Sequence, residues 1–143
     1  MRGKRQPSGK HKTIARLVED AAVVLQRIVR MKAADHAGYA RCVTCGKVQH
    51  WKEMDGGHFI SRRYTSSKLL EENIHPQCKG CNGFRAGEHQ AYTLYMIDTY
   101  GREFVDNLLA TKHETKKYTR AEITERIQEL KDYEQTIKTM RGF

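Results

Sequence analysis

The chain has 143 residues, of which 38% are hydrophobic and 30% are charged, and its formal net charge is +9. This size predicts one domain with a modest core, and the basic excess favours a polyanionic partner such as nucleic acid. No run of about 18 apolar residues could span a membrane, and no apolar segment of the signal-peptide type follows the basic N-terminus. We therefore expect a cytoplasmic protein whose cysteines stay reduced.

The first 38 residues divide into a basic arm and a helix. Residues 1–12 carry five Lys or Arg and no acidic residue, which is typical of a disordered arm that either aids solubility or contacts phosphates. From Thr13 to about Ala37, apolar residues recur at spacings of three and four, and Gly38 provides a helix stop. This pattern predicts an N-terminal helix within residues 13–38.

The middle of the chain, residues 39–100, is predicted to be the chemical centre. It lacks helical periodicity as far as residue 87 and contains all four cysteines. Short strands are predicted at about 40–44, 48–52 and 57–61, and a helix is predicted from Glu88 to Tyr100 with Gly101 as its stop.

Residues 101–143 are predicted to form a C-terminal helical extension. A short helix over about 102–110 is followed by a capping-box pattern, in which Thr119 and Glu122 open a final helix that ends near Met140. The apolar positions of this last helix nearly follow a heptad. Such a stripe either packs on its own domain or pairs two subunits.

Two C-x-x-C pairs, separated by 32 residues, predict a zinc site. A redox pair or scattered core thiols would not explain two equally spaced pairs, whereas two such turns complete a tetrahedron at Zn–S distances of about 2.3 Å. Gly46 and Gly80 are expected to ease the tight turns. Four thiolates leave no open coordination position, so this Zn²⁺ is predicted to be structural and to compensate for a small core. The predicted ligands are Cys42, Cys45, Cys78 and Cys81.

A closed zinc site implies that catalysis, if any, takes place elsewhere. The segment between the cysteine pairs contains Asp55, His58, Asn73 and His75, and Asn82 directly follows the last cysteine. A zinc ion that holds both ends of this segment would bring these residues together. Taken singly, each has an ordinary structural alternative, because loop histidines are mostly surface residues and Asp or Asn often caps a turn or helix.

Two stretches, WKEMDGGHF and ENIHPQCKGCN, resemble the HNH, or ββα-metal, nuclease superfamily. The closest resemblance is to the phage NinG (Rap) recombination nucleases, and phage endonuclease VII has related zinc knuckles. The resemblance covers roughly residues 41–100. It implies an α+β fold in which a small zinc-stabilised ββα-metal (treble-clef, HNH) core is flanked by N- and C-terminal helices.

The resemblance also implies roles for individual residues. His58 matches the general base that takes a proton from the attacking water, and Asn73 matches the residue that fixes the loop holding this histidine. Asn82 matches a ligand of the catalytic divalent ion, Mg²⁺ or Mn²⁺, and Asp55 fits the D-x-G-H form of the closer relatives as a second ligand. Oxygen donors suit such a hard cation, and an imidazole can act as a base at neutral pH.

Two positions fit the resemblance less directly. Many relatives have the acidic metal ligand immediately before the histidine, where this chain has Gly57. His75 is expected either to be a further ligand or to orient the scissile phosphate. The two glycines before His58 are expected to let the backbone approach a sugar–phosphate and bend sharply.

Basic and aromatic residues surround this motif. Arg62, Arg63 and Lys68 are predicted to bind DNA phosphates beside the cut, the alternative being a solvated basic turn. Trp51 and Phe59 are expected to pack on the zinc core rather than to stack on bases.

The resemblance therefore predicts a metal-dependent DNA endonuclease that hydrolyses phosphodiester bonds in branched recombination intermediates, such as Holliday junctions or D-loops. Cutting two strands of a junction requires two sites, which favours a homodimer joined through the last or the first helix. A non-catalytic zinc-finger DNA-binding protein is the alternative from another class, but it does not explain why Asp55, His58 and Asn82 occur together. An HNH nuclease that cuts plain duplex DNA is a third possibility.

Overall fold

The computed structural model describes residues 12–143, so the predicted basic arm lies outside the described residues except for Lys12. The described part of the chain is α+β, as predicted, with four α-helices and four short strands. The elements are α1 (Ile14–Ala33), β1 (Tyr39–Arg41), β2 (Val48–His50), β3 (Asp55–His58), β4 (Ile74–Gln77), α2 (His89–Tyr100), α3 (Arg102–Ala110) and α4 (Arg120–Arg141).

Helix α1 begins as predicted but ends earlier. The side chain of Thr13 caps its N-terminus by accepting a hydrogen bond from the backbone N–H of Arg16 at 3.1 Å. At the other end, Oδ1 of Asp35 accepts hydrogen bonds from the backbone N–H groups of Ala37 and Tyr39. This local turn competes with helical bonding, so α1 ends at Ala33 and the prediction that Gly38 stops the helix is wrong.

The strands form two antiparallel pairs, β1 with β2 and β3 with β4, and in the second pair Gly57 lies opposite His75. The strand predicted at 57–61 actually spans Asp55–His58, because the chain beyond His58 is bonded to the side chain of Asn73 instead of continuing the ladder. Strand β4 was not predicted. All four of its residues are buried and one is Pro76, so the sequence shows neither alternation nor a β-forming run there.

Helix α4 packs against α1, and its predicted capping box between Thr119 and Glu122 is confirmed. An ion pair of 2.6 Å joins Arg27 of α1 to the nearly buried Glu134 of α4. The guanidinium of Arg141 donates hydrogen bonds to two backbone carbonyls at the end of α1. The apolar stripes of α1 and α4 therefore pack on one another within one chain, which is the first of the two alternatives that the sequence left for such a stripe.

Two apolar clusters hold the fold together. The larger one combines α1 and α4 with three of the cysteines and Trp51, as predicted for that tryptophan. The smaller one joins α2 and α3, and it contains Phe59, whose ring centroid lies 5.3 Å from that of Tyr92. Phe59 therefore packs on α2, and the prediction that it packs on the zinc core is wrong.

None of the helices in residues 12–143 combines the length and the apolar character that a membrane crossing requires.

Candidate metal cluster and polar cavity

The four cysteines converge as the two C-x-x-C pairs predicted. Their sulfur atoms all lie within 4.8 Å of one another, and the sulfurs of Cys45 and Cys78 are 3.8 Å apart. Four sulfurs at the corners of a tetrahedron with Zn–S distances of about 2.3 Å are separated by roughly 3.8 Å. The donor set therefore fits a metal ion such as zinc.

The backbone around the cluster has the geometry that such a site needs. Gly46 adopts a positive φ of +80°, and its N–H donates to the carbonyl of Cys42 at 2.9 Å, which closes the first turn. In the second turn, the guanidinium of Arg85 donates to the sulfur of Cys81 at 3.4 Å. Gly80 leaves room for this side chain, because a Cβ atom at Gly80 would lie 3.2 Å from the guanidinium nitrogen. Only the first of the two glycines therefore serves the turn conformation itself.

A polar cavity of about 440 Å³ lies beside the cysteine cluster. It brings together three residues that are far apart in sequence: Asp55 at the start of β3, His58 at its end, and Asn82 immediately after the fourth cysteine. Helix α1, strand β3 and the loop that leads to α2 form its walls. The lining residues are Gln26, Asp55, Gly56, His58, Phe59, Ser61, Arg62, Asn82, Ala86, Gly87 and His89.

Asp55 is ionised and already carries a cationic partner. One carboxylate oxygen accepts a hydrogen bond from Nζ of Lys79 at 2.7 Å, and the other accepts one from the amide of Asn82 at 3.0 Å. Burial opposes ionisation, but these hydrogen bonds outweigh it and lower the pKa of Asp55 below its usual value. The amide of Asn82 also has a carbonyl oxygen, so the pair offers the oxygen donors that a hard divalent ion prefers.

His58 has one bonded and one free ring nitrogen. Its Nε2 lies 2.9 Å from the carbonyl oxygen of Lys68. A carbonyl only accepts, so Nε2 carries the ring proton and Nδ1 keeps its lone pair. Among the residues that the structure describes, Nδ1 has no hydrogen-bond partner although it is shielded from solvent. Burial lowers the pKa of His58 to about 4, so the ring is neutral near pH 7.

The two glycines before His58 serve internal packing. A Cβ atom at Gly57 would lie 1.8 Å from the side-chain oxygen of Gln77, and one at Gly56 would lie 2.8 Å from the side chain of Gln26 on α1. Neither glycine has the positive φ of a sharp bend. We expected these glycines to make room for a sugar–phosphate. Instead, their missing side chains let β4 and α1 approach β3 closely. The fully buried Gln77 also explains why no acidic side chain stands at position 57.

Asn73 is fully buried and binds the loop that follows His58. Its Oδ1 accepts from the N–H of Ile60 at 2.8 Å, and its Nδ2 donates to the carbonyls of Ile60 and Ser67 at 3.0 and 3.2 Å. The backbone N–H of Phe59 donates to the carbonyl of Asn73 at 2.8 Å. Asn73 therefore holds both ends of the loop whose next residue, Lys68, supplies the carbonyl that orients His58.

His75 does not join the cavity, contrary to the expectation that it binds the metal or the phosphate. Its Nδ1 lies 3.0 Å from the hydroxyl of Tyr92 and its Nε2 lies 2.8 Å from the hydroxyl of Tyr100. The hydroxyl of Tyr92 donates to the carbonyl of Gly57, so Nδ1 of His75 must donate to Tyr92 and Nε2 must accept from Tyr100. Both ring nitrogens are used, and the chain of bonds ends on the backbone just before His58.

The basic residues predicted to bind phosphate are largely engaged in ion pairs. Glu19 of α1 accepts hydrogen bonds from Arg62 at 2.5 Å and from Lys68. Arg63 is exposed, with its guanidinium 5.3 Å from the ring centroid of Tyr64. Arg62 lines the cavity, whereas Lys68 reaches it only through its carbonyl bond to His58. Any phosphate must therefore compete with Glu19 for two of the three cations.

Sequence reasoning missed two residues that control the charge of the cavity. Lys79, inside the second C-x-x-C pair, neutralises Asp55, and Glu19 neutralises Arg62 and Lys68. The position of Lys79, directly after the third cysteine and three residues before Asn82, was an available signal, because the knuckle was expected to lie against the site. Glu19 gave no signal, since it is one of several charged residues on the polar side of a helix.

These features define a small α+β protein with a four-cysteine cluster that could hold a metal ion, beside a polar cavity. The family described as "Bacteriophage Lambda NinG protein" matches residues 2–141, and the chain belongs to this NinG family. It is 28% identical over 106 residues to "Protein ninG" of Escherichia phage lambda, a match that covers 71% of this chain and 48% of that protein. It is also 28% identical over 102 residues to "Protein ninG" of Salmonella phage P22, covering 70% and 47%.

The chain spans about half the length of these curated relatives. No solved structure matches it.

Proposed function

We propose that this chain is a metal-dependent DNA endonuclease of the HNH type. The observation that carries the proposal is the free Nδ1 of a neutral His58 in one cavity with the ionised Asp55 and with Asn82. A structural role for His58 would pair this nitrogen, as both nitrogens of His75 are paired. An unpaired acceptor on a buried ring suits a general base, which needs a lone pair and a fixed orientation.

In the proposed reaction, substrate binding opens the shielded Nδ1 of His58 to the cavity, and this nitrogen accepts a proton from the water that attacks phosphorus. The hydrogen bond from Nε2 to the carbonyl of Lys68 holds the tautomer and the ring orientation throughout. Asn73 keeps that carbonyl in place by binding the loop on both sides. Because burial keeps the ring unprotonated near pH 7, nearly every molecule has the base in its active form.

Asp55 and Asn82 are the residues that would hold the divalent ion, Mg²⁺ or Mn²⁺. Bound there, the ion supplies positive charge that polarises the phosphoryl group and stabilises the leaving oxygen. The ammonium of Lys79 marks this position as one that already attracts a cation. With a divalent ion held by Asp55, Lys79 would no longer be needed as its partner, and its exposed side chain could contact a DNA phosphate.

The order of elements supports an HNH assignment. Strand β3 carries His58, the following loop is tied by Asn73, and β4 leads through the second cysteine pair to α2. This strand–strand–helix arrangement, bounded by two C-x-x-C turns, is what a ββα-metal core with treble-clef zinc knuckles requires. Within this reading the cysteine cluster binds Zn²⁺ and is structural, because four thiolates leave no position for substrate.

Branched recombination intermediates are the proposed substrates, since the NinG likeness and the net charge of +9 both favour a nucleic-acid role. Arg62 and Arg63, beside the cavity, are proposed to bind phosphates, with Lys68 joining once Glu19 releases it. Two strands of a junction require two sites, so we propose that two copies act together. Their contact must use surfaces other than the stripes shared by α1 and α4.

The proposal is tested by incubating zinc-loaded protein with a four-way junction and with linear duplex of the same sequence, in Mg²⁺, in Mn²⁺ or without added divalent ion. We expect cleavage of the junction with either ion and none without them. Substitution of His58 by Ala should abolish cleavage and leave junction binding intact, whereas His36→Ala, a matched change at an exposed histidine, should change neither.

Two outcomes would redirect the proposal. Cutting by the His58→Ala protein at the wild-type rate would exclude the mechanism. Tight binding without cleavage by any variant would favour a DNA-binding zinc module, and equal cutting of junction and duplex would favour an ordinary duplex nuclease.

A further inference from the structure

The side chain of Phe84 is 99% exposed, the highest value among the large apolar side chains of the described residues. The next is Met140 at 76%, near the end of the last helix. A whole phenylalanine ring in water forgoes the burial that normally places this residue in a core. An apolar ring held in solvent in this way is typical of a contact surface for a partner.

The loop that carries Phe84 is held firmly in place. The N–H of Gly87 donates to the carbonyl of Cys81 at 2.7 Å, and the N–H of Arg85 donates to that of Gly80 at 2.9 Å. Ala86 has a φ of +50°, a left-handed conformation that non-glycine residues adopt only at a cost, and it persists where the surroundings impose it. The exposed ring therefore stands on a rigid support anchored to the metal cluster.

This loop also forms one side of the polar cavity. Asn82, two residues before Phe84, and Ala86, two residues after it, both line the cavity that contains His58. Phe84 itself is not part of the lining, so it stands on the rim and projects outward. Two cations, Arg85 and Lys79, lie nearby and are 54% and 69% exposed, although each also pairs with an acid, Glu88 and Asp55 respectively.

We propose that Phe84 is a wedge that stacks on the uncovered face of a base at the branch point of a DNA junction. This proposal rests on the proposed nuclease function and names the feature that selects branched over linear DNA. In continuous duplex both faces of each base pair are covered by neighbours, so insertion must first unstack a step, whereas bases at a branch point offer an open face. The flanking cations and the net charge of +9 favour a polyanion over a second copy of this chain at this position.

The test compares Phe84→Ala, Phe84→Trp and, as a matched exposed apolar control, Met140→Ala. Binding of a fluorescently labelled four-way junction and of linear duplex is measured by anisotropy without added Mg²⁺ or Mn²⁺ and without chelator, so that the zinc cluster stays intact and the DNA is not cut. We expect Phe84→Ala to weaken junction binding by about tenfold or more, while duplex binding changes by less than about twofold. Phe84→Trp should keep junction binding within about threefold, since indole also stacks on bases. Met140→Ala should change neither.

Three results would overturn the wedge. Junction binding by Phe84→Ala that equals the wild type would do so, as would an equal loss on junction and duplex. A change of oligomeric state on Phe84→Ala, seen by sedimentation, would show that the ring contacts protein. Failure of the nuclease proposal is detected separately, because cleavage by the His58→Ala protein is scored in Mg²⁺, whereas binding is scored without added divalent ion and does not depend on cleavage.

Discussion

His58 and His75 lie on paired strands of one hairpin, and they resemble each other in every respect that a sequence reveals. Burial lowers the pKa of both to about 4. They differ in their hydrogen bonds. Both nitrogens of His75 are engaged by Tyr92 and Tyr100, whereas His58 uses only Nε2.

This difference shows that burial alone does not identify a catalytic histidine. A depressed pKa keeps the ring neutral, but only an unpaired nitrogen can accept a proton from substrate water. His75 instead stabilises the hydroxyl of Tyr92, which binds the carbonyl of Gly57 next to His58. Under the proposed mechanism, His58 is therefore the histidine that reacts, and His75 supports the strand that carries it.

Loss of the metal should have the largest effect, because the strands that carry both histidines depend on the cysteine cluster. Substitution of Cys81 by Ser, or removal of zinc by a strong chelator, should unfold the domain, since structural zinc contributes about 10–16 kcal/mol in small zinc-binding peptides. Circular dichroism and zinc quantification check this result. A matched change of the exposed Thr136, Thr136→Ser, should leave both unchanged, and a folded Cys81→Ser protein without metal would contradict a structural role.

Substitutions of the two histidines should differ in their effects on the cleavage rate and on the free energy of unfolding. We expect His58→Gln to lower the cleavage rate by about 10²–10⁴-fold with little change in junction binding, because a general base contributes that much. His75→Phe should instead lower the free energy of unfolding by about 1–3 kcal/mol, since it removes the partners of two tyrosine hydroxyls. Single-turnover cleavage and urea denaturation distinguish them. If both variants lost a similar part of the cleavage rate at a temperature where both are folded, the two histidines would not have the different roles proposed here.

Acid should destabilise the protein through both histidines in the same pH window. Each has a folded pKa of about 4, below the ordinary value of about 6.5. Between these values the unfolded chain binds protons that the folded one excludes, so stability is constant above the upper value and falls as the pH drops toward the lower one. Each histidine should account for about 2 kcal/mol between pH 7 and pH 5.

The measurement is urea denaturation at these two pH values with zinc in excess. The pH dependence should be smaller in His75→Phe by about that amount, and unchanged in His36→Ala, an exposed control. Equal pH dependence in the wild type and in His75→Phe would show that this ring takes up protons in the folded state.

Substitution of Glu19 should change the charge near His58 but not near His75, because Glu19 pairs with Arg62 and Lys68. Replacing it with Gln removes the acceptor charge that holds Arg62 and Lys68. We expect DNA affinity to rise by a few-fold and the salt dependence of binding to steepen by up to about two phosphate contacts. Glu125→Gln, an exposed carboxylate on α4, carries the same change in net charge. An identical gain from both variants would mean that only net charge matters.

The local patterns of the sequence determined much of this protein. Spacing placed the four cysteines, helical periodicity placed α1 and α4, and the Thr119–Glu122 pair placed the start of the last helix. Each of these depends on neighbours a few residues apart, so the sequence carries the whole signal. The resemblance added His58, Asp55 and Asn82, and the fold brings these three to one cavity.

Only the tertiary structure decided the remaining features. In the folded chain, His75 lies among tyrosines, and Glu19 forms ion pairs with Arg62 and Lys68. The missing side chain of Gly57 leaves room for that of Gln77. The fold also turns the apolar stripe of α4 toward α1 rather than toward a second subunit. The physical reason is that these contacts join residues from separate elements. Side-chain direction and the partner that reaches a given atom are set by packing, which no local pattern records.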